Sequence, residues 1–227
     1  MFPLVVSYFT KDSLYEKEAE NLILSCNKFN LDYHIEAAPS FGSWEKNCCF
    51  KPFFLLEKLY QLQKPLLWID VDAVFVQKPK EEQWEKSCDI AVRFFESNRI
   101  ADKTFSGTVF INYTPKSIQL LHMWSDECEK QFLNRTMESI WDQACLSHVI
   151  HKQNHGAKIM PLPLGYSYIF DEIQKIDCKE LFIVHYQASR LYRKVIDQEL
   201  ENFSFLDSLS PKELRNIRTG NTNLSSS

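Results

Sequence analysis

The sequence predicts an α/β fold with a mostly parallel sheet flanked by helices. Three observations carry this. Residues 2–9 and 66–69 are short apolar runs without alternation, the pattern of strands covered on both faces. Stretches of helical periodicity lie between such runs, giving β-α-β-α-β over the first 76 residues. The run Leu66-Leu67-Trp68-Ile69 ends abruptly in Asp70 and Asp72, one residue apart. An unpaired carboxylate is costly inside a buried strand. The pair is therefore expected just past the strand's carboxyl end, where open α/β sheets hold their ligands.

Taken in order, residues 2–9 form the first strand. A helix is expected over 11–29, with Asp12 or Ser13 as N-cap and Leu14, Leu22, Ile23 and Cys26 apolar. The strand at 31–37 then lies parallel beside the first through a right-handed crossover. Residues 39–43 form a loop, and 51–63 a helix with Pro52 in its first turn. After the carboxylate strand, 78–86 is solvated helix or loop and 89–94 a strand. Residues 105–112 form another strand, in which Ser106-Gly107 allows close backbone approach. Helices are expected from Pro115 to about 132 and over about 137–151, and late strands at 158–161 and 181–185. From Ser189 the chain reads as charged and helical. A capping box at Ser210-Pro211-Lys212-Glu213 opens a last short helix. The reading is one domain, 1–218, with a polar tail, 219–227.

Composition narrows the function. The chain has 227 residues, 44% hydrophobic and 25% charged, enough for a sizeable core. A formal net charge of −4 gives no electrostatic reason to expect nucleic acid or an anionic membrane. No membrane span is read, because the run at 3–6 is far too short. Cysteines at 26, 48, 49, 88, 128, 145 and 178 are odd in number and form no CxxC pair. They suggest neither a disulfide framework nor a zinc knuckle, and they fit a cytoplasmic location. Cys48-Cys49 reads as small buried hydrophobes.

Asp70 and Asp72 carry the clearest chemistry. Two carboxylates at i and i+2 converge on one hard cation, Mn²⁺ or Mg²⁺, when the chain bends there, and waters or phosphate oxygens complete the shell. The alternative, a plain polar turn, conflicts with Ala73-Val74-Phe75-Val76, which lacks turn-forming residues. His185, at the end of the apolar run 181–184, is either a third ligand or a core histidine. Arg190 after Ser189 suits a diphosphate or a surface ion pair. Asp142 shares a helical stripe with Cys145 and Val149, so it is either a base, a sugar-orienting group or a solvated residue. Tyr8 and Lys51 read equally as packing and helix start or as site residues. His148, His151 and His155 read as an exposed helix end, with no Cys or carboxylate nearby to complete a zinc set.

Five stretches in order resemble the GT-A glycosyltransferases, and within them the nucleotide-diphospho-sugar transferases that include glycogenin and bacterial lipopolysaccharide galactosyltransferases. They are Lys51-Pro52-Phe53-Phe54-Leu55-Leu56; Leu67 to Phe75 with its Asp-x-Asp, closed by Lys78-Pro79; Ser106-Gly107-Thr108-Val109-Phe110-Ile111-Asn112; Trp141-Asp142-Gln143; and His185-Tyr186-Gln187-Ala188-Ser189-Arg190. The resemblance spans residues 3–193. It implies a GT-A-like, nucleotide-binding sheet and metal-dependent transfer of a sugar from a nucleotide-diphosphate donor, UDP-sugar favoured, to a hydroxyl of a glycan, lipid or protein. It further implies Asp72 and His185 on the metal, and Asp70 on the metal or its water, the ribose or the sugar. Tyr8 and Thr10 would meet the base, while Lys51, Ser106, Gly107, Gln143, Ser189 and Arg190 would contact the donor. Asp142 would be the catalytic carboxylate. No Gly-x-x-Lys-Pro-Trp run follows His185, which leaves the branch and the stereochemical course open. Two other functions compete. A haloacid-dehalogenase-type phosphohydrolase also sets Asp-x-Asp after a strand, but near the start of the chain and with a later Lys and acidic pair. An inactive nucleotide-sugar-binding protein is the other.

Overall fold

A computed structural model describes residues 2–80, 87–134, 137, 140–172, 174 and 176–188. Ser189, Arg190, the C-terminal helices and the tail expected from sequence lie outside the described residues.

The first half builds the parallel part of the sheet. Strand β1 (Leu4–Thr10) leads to helix α1 (Tyr15–Lys28) and strand β2 (Tyr33–Ala38). Asp12 sits at φ +58°, and the Ser13 hydroxyl accepts the Tyr15 N–H at 3.2 Å. The helix therefore begins four residues later than its expected start at 11. A short helix α2 (Trp44–Cys49) follows. Ser43 caps it by accepting the Lys46 N–H, and α3 (Lys51–Leu62) comes directly after. Helix α2 was not expected, since six residues are too few for a periodic pattern. Next come β3 (Leu66–Ile69) and β4 (Ala73–Phe75), separated by Asp70-Val71-Asp72.

The second half completes the sheet. It comprises β5 (Ile90–Phe94), β6 (Thr104–Ile111), α4 (Pro115–Asn134), α5 (Asp142–Lys152), β7 (Ile159–Pro161), β8 (Tyr168–Ile169) and β9 (Ile183–His185). Helix α5 starts at Asp142, not near 137. Trp141 is extended (φ −133°, ψ 165°), and the Met137 N–H donates to the Gln131 side chain, so Met137 belongs to the connection.

The main sheet has the order β2-β1-β3-β6-β5-β7, in which β6 alone runs antiparallel to its neighbours. Alternate residues face two separate cores. Val6, Trp68, Val109 and Ile90 pack against α3, α4 and α5. Val5, Leu67, Phe110 and Ala91 pack with Leu22 and Cys26 of α1 and with Phe75 and Ile183 of a small second sheet, β4-β9-β8. Covering both faces is what makes the strands read as unbroken apolar runs. Arg93, buried on β5, donates to the Ser167 carbonyl at 3.0 Å and pairs with Glu172, tying the segment around β8 to the main sheet. No helix among the described residues is long and apolar enough to cross a membrane.

Candidate active site

The site forms where β6 leaves the regular ladder. Val92 of β5 faces Val109, yet Arg93 faces Phe105, so Ser106-Gly107-Thr108 is surplus to the β5 register. Irregularities of this kind redirect side chains, and they concentrate beside functional sites. Each of the three residues reaches a different group. The Gly107 carbonyl accepts the Asp70 N–H at 2.8 Å. Thr108 Oγ1 lies 2.7 Å from His185 Nε2. The Ser106 carbonyl and hydroxyl accept from Lys51 Nζ at 3.2 and 3.4 Å. A Cβ on residue 107 would collide with the Phe105 ring, so glycine lets the chain fold back there.

Asp70 and Asp72 lie in the turn after β3, which the Ala73 N–H closes by donating to the Asp70 carbonyl. β4 then pairs with β9, which places Ala73 opposite His185 and brings the imidazole to the carboxylates. One oxygen of each carboxylate and one imidazole nitrogen lie within 4.8 Å of one another. Asp70 Oδ1 accepts from the Trp68 indole at 2.8 Å, and Asp72 Oδ2 from the Ala188 N–H at 2.7 Å. Burial, then the charge of Asp70, pushes the Asp72 carboxyl up to about 7, against the Ala188 N–H, which favours the charged form. Burial, then Lys51 and Arg93, pushes His185 down to about 3, so its ring is neutral. With Nε2 held by Thr108, the buried Nδ1 has no hydrogen-bond partner. A neutral imidazole with a free nitrogen beside two carboxylates fits a hard divalent cation.

Lys51 joins Asp70 to Asp142. It is the first residue of α3 and almost fully buried, and its ammonium lies 2.9 Å from Asp70 and 2.6 Å from Asp142. It also sits 5.0 Å from the Trp68 ring centroid. Burial works against its charge, but the carboxylates of Asp142 and Asp70 outweigh burial and hold its pKa above the ordinary lysine value. Three carboxylates (Asp70, Asp72, Asp142) and one ammonium leave two negative charges uncompensated when all are ionised, which is the deficit a divalent cation fills. Asp142 opens α5, where a carboxylate suits the positive helix end, and its carbonyl accepts from the Trp124 indole at 2.8 Å.

Lys51, Ser106 and the three carboxylates line one cavity of about 280 Å³. Of the site residues expected from sequence, Tyr8, Thr10, Lys51, Asp70, Asp72, Ser106, Asp142 and Gln143 line it. Gly107 and His185 do not line it: Gly107 acts through its backbone, and His185 Nε2 is held by Thr108. The Tyr8 hydroxyl donates to the Asn47 carbonyl at 2.5 Å, and its ring packs on Phe50, Phe54 and Trp68. Sequence reasoning missed Tyr15, Trp44, Asn47, Cys48, Phe105 and Gln187, which also line the cavity. It missed Thr108 as the support of His185 as well, although its place two residues after Ser106 on one strand was a usable signal. His148, His151 and His155 join no metal-binding group among the described residues.

Residues 45–194 match the family model of nucleotide-diphospho-sugar transferases, which is more than half of the chain. No curated protein shows significant sequence similarity to it. Among solved structures, a glycosyltransferase involved in glycosylation of the major capsid of PBCV-1 is similar at a TM-score of 0.62 and 11% identity, covering 89% of this chain and 100% of that one. The glycosyltransferase GlyE of Streptococcus pneumoniae TIGR4 is similar at a TM-score of 0.53 and 15% identity. That alignment covers 96% of this chain, which spans 62% of the GlyE chain. At such identities the two structures bear on the fold, and the family match bears on the chemistry. The glycosyltransferase resemblance, not the phosphohydrolase one, is what the comparisons bear out: the chain belongs to the nucleotide-diphospho-sugar transferases, a family of glycosyltransferases.

Proposed function

We propose that this glycosyltransferase depends on a divalent cation, Mn²⁺ or Mg²⁺, bound by Asp70, Asp72 and His185, and uses a UDP-sugar in preference to other donors. The observation that supports this best is a fully buried, neutral His185 that has one ring nitrogen within 4.8 Å of both carboxylates and whose Nδ1 has no hydrogen-bond partner. Bound there, the cation offsets the negative charge that develops on the leaving diphosphate without any proton transfer. The chain's own residues do the positioning. Thr108 fixes the His185 ring through Nε2, which leaves Nδ1 as the ligating atom. Trp68 and Lys51 fix Asp70. Lys51 also engages Asp142, so in this reading Asp142 serves as a fixed acceptor for a sugar hydroxyl, beside Gln143. Lys51 acts on the donor through the two carboxylates it holds. Tyr8 and Thr10 line the cavity and in this reading meet the base. The acceptor is a hydroxyl of a glycan, lipid or protein, and the seven free thiols fit a cytoplasmic location.

Thermal unfolding with Mn²⁺ and a panel of UDP, GDP, CMP and ADP tests the reading, because a native-state ligand stabilises by RT ln(1 + [L]/Kd). The expected result is a rise in Tm with UDP that requires Mn²⁺ and disappears in Asp72→Ala. A shift that is indifferent to metal overturns the cation. A response to no nucleotide under any condition points to an inactive member of the family.

A further inference from the structure

A second cluster of chemistry-bearing side chains lies outside the cavity. Cys49 ends α2, Cys128 lies in α4 and Cys145 in α5, and the three sulfurs fall within 4.8 Å of one another. All three residues are buried, each thiol interacts with the other two by hydrogen bonds, and none is in a disulfide. Nothing in the transfer reaction uses them. Three helices from separate parts of the chain thus aim one sulfur each at a common point.

We propose that Cys49, Cys128 and Cys145 form a three-sulfur site for a single thiophilic, three-coordinate ion of the trivalent arsenic class. Thiolate sulfur selects soft ions over the hard cation bound at the carboxylates. Coordination number and charge narrow the choice. Structural zinc takes four ligands, and among the described residues no fourth Cys, His or carboxylate joins the group. Three thiolates leave a net charge of −2 around a monovalent ion and −1 around a divalent one. Around a trivalent ion they leave none. The surroundings penalise negative charge, because the three cysteines belong to the apolar core and the carboxylates of Asp142 and Glu127 bear on Cys145. A neutral As(SR)₃ centre is the one that both the burial and these carboxylates accept.

The step balances without oxidation or reduction. Arsenous acid, As(OH)₃, exchanges its three As–O bonds for three As–S bonds, and each hydroxide leaves as water with one thiol proton. Cys145, which hydrogen-bonds with Cys128 and Cys49, supplies the first nucleophile, and its proton leaves with the first hydroxide as water. Cys48, the neighbour of Cys49 in sequence, lines the cavity. Bound arsenic would also tie α5, which begins with Asp142, to α2 and α4.

The experiment is native mass spectrometry of the whole protein titrated with arsenite, with arsenic K-edge absorption on the same sample. The expected adduct is one arsenic per chain with three protons lost and a shell of three sulfurs and no oxygen. It disappears in Cys49→Ala, Cys128→Ala and Cys145→Ala and survives in Cys48→Ser and Cys178→Ser. The absorption measurement on unaltered protein keeps the test valid where a core variant fails to fold. The adduct also raises Tm, as a ligand specific to the native state must. An arsenic bound through two sulfurs, an adduct that needs Cys48 or Cys178, or uptake of Zn²⁺ but no arsenite would each overturn the proposal.

Discussion

Replacing Asp72 by Asn tests the electrostatics of the site in a way that activity alone does not. In the metal-free protein, burial holds Asp72 near 7 and His185 near 3. The ordinary values in an unfolded chain are about 4 and about 6.5. For Asp72 the folded value is raised. Its stabilising contribution is complete below about pH 4 and is lost as pH rises through 7. The difference of about 3 pH units corresponds to about 4 kcal/mol. For His185 the folded value is depressed. Its contribution is complete above about pH 6.5 and is lost as pH falls toward 3, by up to about 5 kcal/mol. The two windows nearly coincide and the signs are opposite. Around pH 5 the folded pair holds one proton, as the unfolded pair does, so the pair imposes almost no slope on stability wherever that proton sits. Asp72→Asn keeps an acceptor for the Ala188 N–H and removes one side of the balance. Stability should then rise with pH between 4 and 6.5 by up to about 1.4 kcal/mol per unit relative to the parent, and above pH 7 the variant should be the more stable protein by a few kcal/mol. His185→Gln should give the opposite slope. The assay is urea unfolding in EDTA at half-unit steps of pH. Parallel curves for Asp72→Asn and the parent would refute the reasoning.

Further consequences are measurable. Because Asp72 must lose its proton to ligate a cation, Mn²⁺ affinity should rise about tenfold per pH unit up to about 7 and level off above it; titration by calorimetry checks this, and a flat profile would exclude Asp72 as a ligand. Lys51→Met leaves the buried Asp142 and the half-buried Asp70 without their shared cation. It should cost about 3–5 kcal/mol in urea unfolding, partly recovered by Mn²⁺, whereas a cost under about 1 kcal/mol would show that the ammonium is not needed. Thr108→Val removes the hydroxyl that holds His185 Nε2 and should weaken Mn²⁺ binding about 10–100-fold; unchanged affinity in a spin-resonance titration would show that the ring needs no such support. Gly107→Ala pushes a methyl into the Phe105 ring and should lower both stability and metal affinity, since the Gly107 carbonyl holds the Asp70 N–H.

What the sequence disclosed, and what it withheld, divides along one physical line. The strands at 4–10 and 66–69 and the turn at Asp70-Val71-Asp72 were legible because their causes are local: an apolar run covered on both faces, ended by two charges that such a strand does not hold. The Ser106-Gly107 stretch was legible as an unusual strand, but its purpose was not. That purpose depends on three residues leaving β5 so that each meets a group distant in sequence: Lys51, Asp70 and His185. Lys51 is the sharpest case. From sequence it reads as a plain helix start or a phosphate contact. In the fold its burial follows from Asp142, 91 positions later, and Asp70, 19 positions later, being carried to the same point by different elements. The pairing also explains why a lysine is tolerated there at all, since an unpaired ammonium in that position would not hold its charge. The three cysteines repeat the lesson one turn further along α5. Their spacings of 79 and 17 residues match no metal motif, because helix packing, not a loop, sets the distance between the sulfurs. Asp142 and Cys145 lie one turn apart on that helix, so carboxylate pairing at its first residue and sulfur packing a turn later fix its position together. The network that holds the candidate catalytic carboxylate therefore extends into the thiol core, beyond the cavity itself.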